Sequence, residues 1–215
     1  MKGLGVVVGA IDGSHIGIKG QQFCNENYIN RKGWSSLILQ ASCDHQYLFT
    51  SCYAGWPGSV HDARVYQNSD LVASIESDMP KYFPDDSFML GDAAYPLSRY
   101  LLTPYKDNGS LTPNQRTYNY IHSATRNTIE RAFALFKNRF PRMRHIEIND
   151  VKDASEFIIT TCVLHNYCIM ENVIEGFEED FQDCLIDEEI NNFVCVGSSS
   201  ADAELKRRRV MDSIV

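Results

Sequence analysis

Four acids spread along the chain have the types and surroundings for phosphoryl chemistry. Asp12 closes the apolar run Gly5-Val-Val-Val-Gly-Ala-Ile-Asp12, and Asp92 closes a second, Ser87-Phe-Met-Leu-Gly-Asp92. Glu130 is the lone acid of residues 122–140, set among Arg126, Arg131, Lys137 and Arg139. A carboxylate at the end of a buried strand costs free energy unless it is paired or binds a cation. If the two strands pair centrally and the Glu130 helix packs on them, three carboxylates face one point. Their repulsion raises their pKa values unless hard, oxygen-ligated Mg²⁺ or Mn²⁺ is bound. Two such ions about 4 Å apart activate a water and stabilise the leaving oxygen in a phosphodiester displacement. Arg126, Lys137 and Arg139 would then position substrate phosphates, contacts that carry no base information. Three of the four also have a plainer reading. Asp12-Gly13 is turn chemistry, Arg126 and Glu130 make a surface i,i+4 ion pair, and Asp62 in Ser59-Val-His-Asp62 completes a helix capping box.

The elements that must bring these residues together are legible in outline. Ile129, Phe133, Phe136 and Phe140 recur at helical spacing and form one buried face, beside a second stripe of Arg126, Glu130, Ala134 and Lys137. Residues 34–41 and 47–54 read as strands that extend the first into an antiparallel meander. A helix is expected over residues 60–74. Residues 106–115 form a polar segment placed to cross above the site. Residues 154–170 form a second amphipathic helix, on which His165 is a satisfied core histidine and Cys162 and Cys168 are packing residues.

Composition bounds the rest. The 215 residues, 44% hydrophobic and 22% charged, suit one globular domain. No apolar run approaches the roughly 18 to 20 residues of a membrane span, and there is no secretory leader, so an intracellular protein is expected. Seven cysteines without a C-x-x-C pair argue for free thiols. The net charge of -8 resides in residues 171–215, with twelve acids and four bases, and leaves residues 1–170 neutral. Residues 99–144 carry nine bases against Asp107 and Glu130, a local excess that would attract a polyanion. Residues 171–215 read as an acidic, largely flexible tail with a short amphipathic piece at 177–190. The cluster Lys206-Arg-Arg-Arg209 reads as an import signal or a solvated terminus.

Six motifs in order carry a resemblance: Ile11-Asp-Gly-Ser-His15, Pro57-Gly-Ser-Val-His-Asp-Ala-Arg64, Leu90-Gly-Asp-Ala-Ala-Tyr-Pro-Leu97, Leu102-Thr-Pro-Tyr105, His122-Ser-Ala-Thr-Arg-Asn-Thr-Ile-Glu-Arg-Ala-Phe133 and Leu164-His-Asn-Tyr167. Over residues 8–170 the chain resembles the nuclease domain of PIF/Harbinger transposases and their domesticated relatives. That resemblance implies an α/β, ribonuclease-H-like mixed sheet flanked by helices. It also implies a DDE triad of Asp12, Asp92 and Glu130, with Asp62 as a further metal-site acid in place of its capping role. Ala93-Ala94 stands where the family usually has Ser-Gly, and Ala134 where it has Gly. Family members carry a helical DNA-binding region before the first catalytic strand, whereas Asp12 follows only eleven residues here, so a truncated or domesticated nuclease is expected. The resemblance further implies DNA as substrate, a separate Myb-like DNA-binding partner, homo-oligomers, and a nuclear location with the cytoplasm as second compartment. The alternative is a catalytically silent DNA- or protein-binding module that keeps the fold. A haloacid-dehalogenase type of phosphohydrolase is set aside because position 14 is Ser where that chemistry needs a second aspartate.

Overall fold

Alternation of side chains along the first strand sets up two cores, one on each face of the sheet. The computed structural model describes residues 6–19, 26–173 and 200–214. Strand β1 (Val7–Ile18) pairs antiparallel with β2 (Ser36–Cys43), from Ala10 opposite Cys43 to Gly17 opposite Ser36. Strand β3 (Phe49–Pro57) completes the expected meander. Ala10 and Ile16 point to the face shared by Leu37, Leu39 and Ala41. Ile11, one residue out of phase, points to the opposite face with Tyr66, Ile75, Met89 and Tyr95.

Beyond β3 the chain forms α1 (Asp62–Gln67), α2 (Asp70–Ser77) and α3 (Met79–Tyr82). The single helix expected over 60–74 is thus two, broken where the Asn68 side chain turns back onto the Arg64 carbonyl at 2.8 Å. Ser59 is not the cap: its hydroxyl donates to the Asn27 carbonyl at 2.6 Å, and His61 holds the N-cap position without a side-chain capping bond. The capping-box reading of Asp62 therefore fails.

Strand β4 (Phe88–Leu90) then pairs parallel with the first half of β1, Ala10 opposite Leu90. Strand β5 (Leu101–Leu102) lies outside β4. Helix α4 (Pro113–Arg139) follows, and β6 (His145–Ile146) returns to pair parallel with Gly17 and Ile18 of β1. The sheet order is β3-β2-β1-β4-β5 with β6 also on β1, a ribonuclease-H-like mixed sheet. Helix α5 (Val151–Met170) starts on an Asp150 side chain that accepts from Lys152 and Asp153 N–H at 2.8 and 3.2 Å. Ile129, Phe133 and Phe136 of α4 join Ile158 and Cys162 of α5 in the core on one face of the sheet. His165 is buried there, its Nε2–H donating to the Tyr47 carbonyl at 3.2 Å.

Two further expectations change. Helix α4 begins nine residues before 122, because Thr112, Pro113 and Gln115 make a reciprocal capping box; most of the polar segment 106–115 thus leads into the helix. The C-terminus also differs from a flexible tail. Residues 174–199, including the 177–190 piece, lie outside the described residues, but Ala201–Ile214 form α6, docked on the body. Ala203, Lys206, Met211 and Ile214 are buried along one side, at spacings of three to five. The Lys206 ammonium reaches Asp86 at 3.2 Å and the Ser87 carbonyl at 3.1 Å, and Arg207 lies 4.0 Å above the Tyr105 ring. Half of the Lys206–Arg209 cluster is therefore taken up by packing. No helix among the described residues is long and apolar enough to cross a membrane.

Candidate active site

The site lies where β1 loses its neighbour. Strand β4 covers one edge of β1 as far as Ala10, and β6 covers the same edge from Gly17 onward. Among the described residues no strand pairs with that edge in between. Asp12 opens this gap from the middle of a twelve-residue strand, not from the strand end the sequence suggested. Asp92 stands two residues past Leu90 as Asp12 stands two past Ala10, so the parallel register delivers both acids to one level. This is the carboxyl-end crevice where open α/β sheets place their chemistry.

Helix α4 closes the gap with side chains. By alternation Asp12 points to the α4 face, where its Oδ2 accepts from Arg126 Nη1 at 2.9 Å. The other guanidinium nitrogen, Nη2, meets Glu130 Oε1 at 2.7 Å. One cation, with a side chain only 7% exposed, thus joins two acids far apart in sequence. The surface-pair reading of Arg126 and Glu130 does not hold: Arg126 is buried and turned into the site. Further along the gap, Lys137 Nζ donates to the His15 carbonyl at 2.9 Å. Arg139 faces elsewhere: its nitrogens reach the His165 and Val173 carbonyls, at 3.5 and 3.2 Å, near the C-terminal end of α5. The basic residues around α4 therefore do not share one face.

Asp62 comes from the opposite face. It is the first residue of α1, over Gly13, where a β-carbon would overlap its carboxylate. Gln40, opposite Gly13 in β2, donates to the Asp62 carbonyl and to the Tyr95 hydroxyl, both at 3.2 Å. Asp92 is fixed by its own turn, Oδ1 accepting from Ala94 N–H at 2.8 Å. Sequence reasoning missed Gln40 and Tyr95. The available signal was a polar side chain inside the apolar run 37–41, which has to find a partner when buried.

The electrostatics follow from this crowding. Burial pushes the Asp12 carboxyl up to about 8 against the pull of Arg126, and Asp92 and Asp62 push the same way. Burial and then Asp92 raise Asp62 to about 6. The Tyr95 phenol, fully buried beside these acids, is held well above its ordinary value. On the basic side, burial with Arg144 and Lys32 nearby lowers Lys137 to about 8.

Among the described residues no three His, Cys, Asp or Glu side chains stand arranged as a ready metal cage. What the site offers is a donor set of hard carboxylate oxygens, whose charges disfavour one another, with a guanidinium between two of them. Such a set suits Mg²⁺ or Mn²⁺ and does not suit a soft, thiolate-seeking ion.

A profile described as DDE superfamily endonuclease matches residues 11–166. The Rattus norvegicus protein named "Putative nuclease HARBI1" is 35% identical over 170 residues, 77% of this chain and 47% of its own length. Its Homo sapiens counterpart is 34% identical over the same span. The Arabidopsis thaliana "Protein ALP1-like" is 28% identical over 181 residues, 79% of this chain and 44% of its own. The chain spans about half the length of these relatives. No solved structure matches. With the profile covering both strand acids, Asp62 and the α4 glutamate, the chain belongs to the DDE superfamily endonucleases.

Proposed function

We propose that this chain is a divalent-metal-dependent DNA nuclease whose catalytic acids are Asp12, Asp92 and Glu130, with Asp62 as an added metal-site acid. The observation that carries it is the convergence at one gap in β1: Asp12 beside Asp92 and Asp62, and Glu130 joined to Asp12 through Arg126. Mg²⁺ or Mn²⁺, held by Asp12, Asp92, Glu130 and Asp62, would supply an activated water and a counter-charge for the leaving oxygen. The chain's own residues set the stage. Arg126 braces Asp12 and Glu130 through one oxygen of each, and its charge offsets theirs. Gln40, which also donates to the Tyr95 hydroxyl, holds the Asp62 segment against β2, and the Ala94 N–H holds Asp92. Lys137, at the far end of the gap, would meet a backbone phosphate. Recognition of a particular DNA end by a Myb-like partner, action as a homo-oligomer and residence in the nucleus belong to the same reading.

The test is nicking of supercoiled plasmid in Mg²⁺ or Mn²⁺, abolished by EDTA and by Asp12→Asn, Asp92→Asn or Glu130→Ala. Nicking that survives all three substitutions, or none by the parent chain in either ion, overturns it. The second reading is a silent DNA- or protein-binding module, and one observation favours it: Arg126 already satisfies two of the acids. That reading expects DNA binding without nicking.

A further inference from the structure

One basic and aromatic feature beside the acids has no role in the reading so far. Residues 30–34 form a tight turn, closed by the Ile29 to Ser35 bridge and built around buried Asn30. The Asn30 side-chain oxygen accepts from Lys32 N–H at 2.9 Å and Trp34 N–H at 3.4 Å, while its amide donates to Ser36 Oγ at 3.2 Å. Gly33 takes a φ of +82°, and Gly33 N–H donates to the Asn30 carbonyl at 3.0 Å. Such a turn fixes the backbone from which its side chains project. They are Arg31 and Lys32, both exposed, and Trp34, 39% exposed.

The turn is anchored to the strand that carries the site. Ser36 Oγ also bonds His15 Nδ1 at 3.0 Å, and the Trp34 ring stands edge-on to the His15 ring at 6.0 Å. His15 lies three residues past Asp12, and its carbonyl receives Lys137. Arg31, Lys32 and Lys137 all crowd His15, whose pKa falls to about 4 chiefly through burial and then through these cations. Arg31 is also close enough to Asp62 to act on its charge. Cations and a partly bare indole therefore flank the acids on one side. Charge alone fits a phosphate backbone. Cations interleaved with an aromatic held ready to stack fit a strand whose bases are unpaired, since a duplex keeps its base faces covered.

Building on the nuclease reading, we propose that the 30–34 turn is a single-strand clamp: Arg31, Lys32 and Lys137 take consecutive phosphates, and Trp34 stacks on an unpaired base next to the bond to be cut. The substrate class is then DNA that is single-stranded or frayed at the site.

Binding measured in EDTA keeps this test apart from cleavage. A DNA oligonucleotide is offered as single strand, frayed duplex and blunt duplex. The single strand and frayed duplex should bind more tightly than the blunt duplex, and Trp34→Leu should cost roughly tenfold on those two, with Trp34→Phe restoring most of it. Arg31→Ala with Lys32→Ala should flatten the logarithmic salt dependence by about 1.4 on the single strand. In a Trp56→Phe protein, Trp34 is the one remaining tryptophan, and its fluorescence should be quenched by single-stranded DNA. A Trp34→Leu protein that binds all three DNAs like its parent, or an unquenched Trp34, overturns the clamp. If Trp34-dependent binding is found without nicking, the nuclease reading fails and the clamp stands; nicking with binding indifferent to Trp34 gives the reverse.

Discussion

Gly13 leaves room for Asp62 and for nothing else: a β-carbon at position 13 would fall on the Asp62 carboxylate. The contact crosses from the middle of β1 to the start of α1, so a side chain at Gly13 has to turn the Asp62 carboxylate off the strand. Gly13→Ala should weaken Mn²⁺ binding by at least about tenfold, equal to losing one good ligand interaction of roughly 1.4 kcal/mol. The far-ultraviolet circular dichroism should stay unchanged. Calorimetric titration of parent and variant decides it, and equal affinities would remove Asp62 from the metal site.

Arg126 gives a second prediction. It is buried between Asp12 and Glu130, so Arg126→Met leaves two crowded acids uncompensated. Breaking a buried pair by removing one partner costs about 3 kcal/mol or more, and denaturant melts in EDTA should show a loss of that order. Mn²⁺ should restore more stability to the variant than to the parent, because the ion then replaces the missing cation. A variant that is destabilised but gains no more from Mn²⁺ than its parent would show that the acids do not share an ion.

Metal affinity should fall with pH in two stages. Ligand carboxylates bind as anions, so protons held by Asp12, pushed up to about 8, and by Asp62, at about 6, must leave when the ion enters. Below about 8 the Mn²⁺ affinity should drop roughly tenfold per pH unit, and more steeply below about 6 as a second proton is displaced. Titration in buffers of different ionisation enthalpy counts those protons. A flat affinity between pH 6 and 8 would mean that Asp12 is not a ligand.

Acid should destabilise the fold before most carboxylates titrate. His122 and His165 are buried, their ring N–H groups on the Leu102 and Tyr47 carbonyls, and burial lowers both to about 4. The unfolded chain binds these protons near 6.5. Their stabilising contribution is therefore complete above 6.5 and is lost as pH falls toward 4, at about 1.4 kcal/mol per pH unit for each histidine. Urea midpoints followed from pH 7 to 4.5 carry this slope together with that of His15, also lowered to about 4. Against it runs the opposite slope of Asp12 and Asp62, whose raised carboxyls favour the folded state as pH falls. His122→Gln should therefore change the slope by about 1.4 kcal/mol per pH unit relative to the parent. An unchanged slope in that variant would assign the acid sensitivity elsewhere.

What the sequence revealed and what it concealed divide along local and tertiary lines. The stripe Ile129, Phe133 and Phe136 and the three-strand meander are periodic patterns, so they are readable one element at a time. The start of α4 is equally local, written in Thr112, Pro113 and Gln115, although Gly109 and Pro113 taken alone read as loop residues. Helix α6 was hidden for a different reason. Its buried stripe includes Lys206, whose charge is acceptable inside only because Asp86 and the Ser87 carbonyl wait there. The direction of Arg139 is likewise a tertiary fact, fixed by where α5 ends. Asp12 and Asp92 each read as a strand-end acid, but whether they stand level depends on Ala10 lying opposite Leu90, a register no single segment encodes.

The split edge of β1 also sets an order of events as the polypeptide emerges from the ribosome. The strand holding Asp12 is made before either of its parallel neighbours, which come from residues 88–90 and 145–146. Until His145 and Ile146 have emerged, that strand has one flank only partly covered, and closing so long a loop is slow. A nascent product that stalls between α3 and β6 would display that flank to any other strand in reach, a template for the wrong partner.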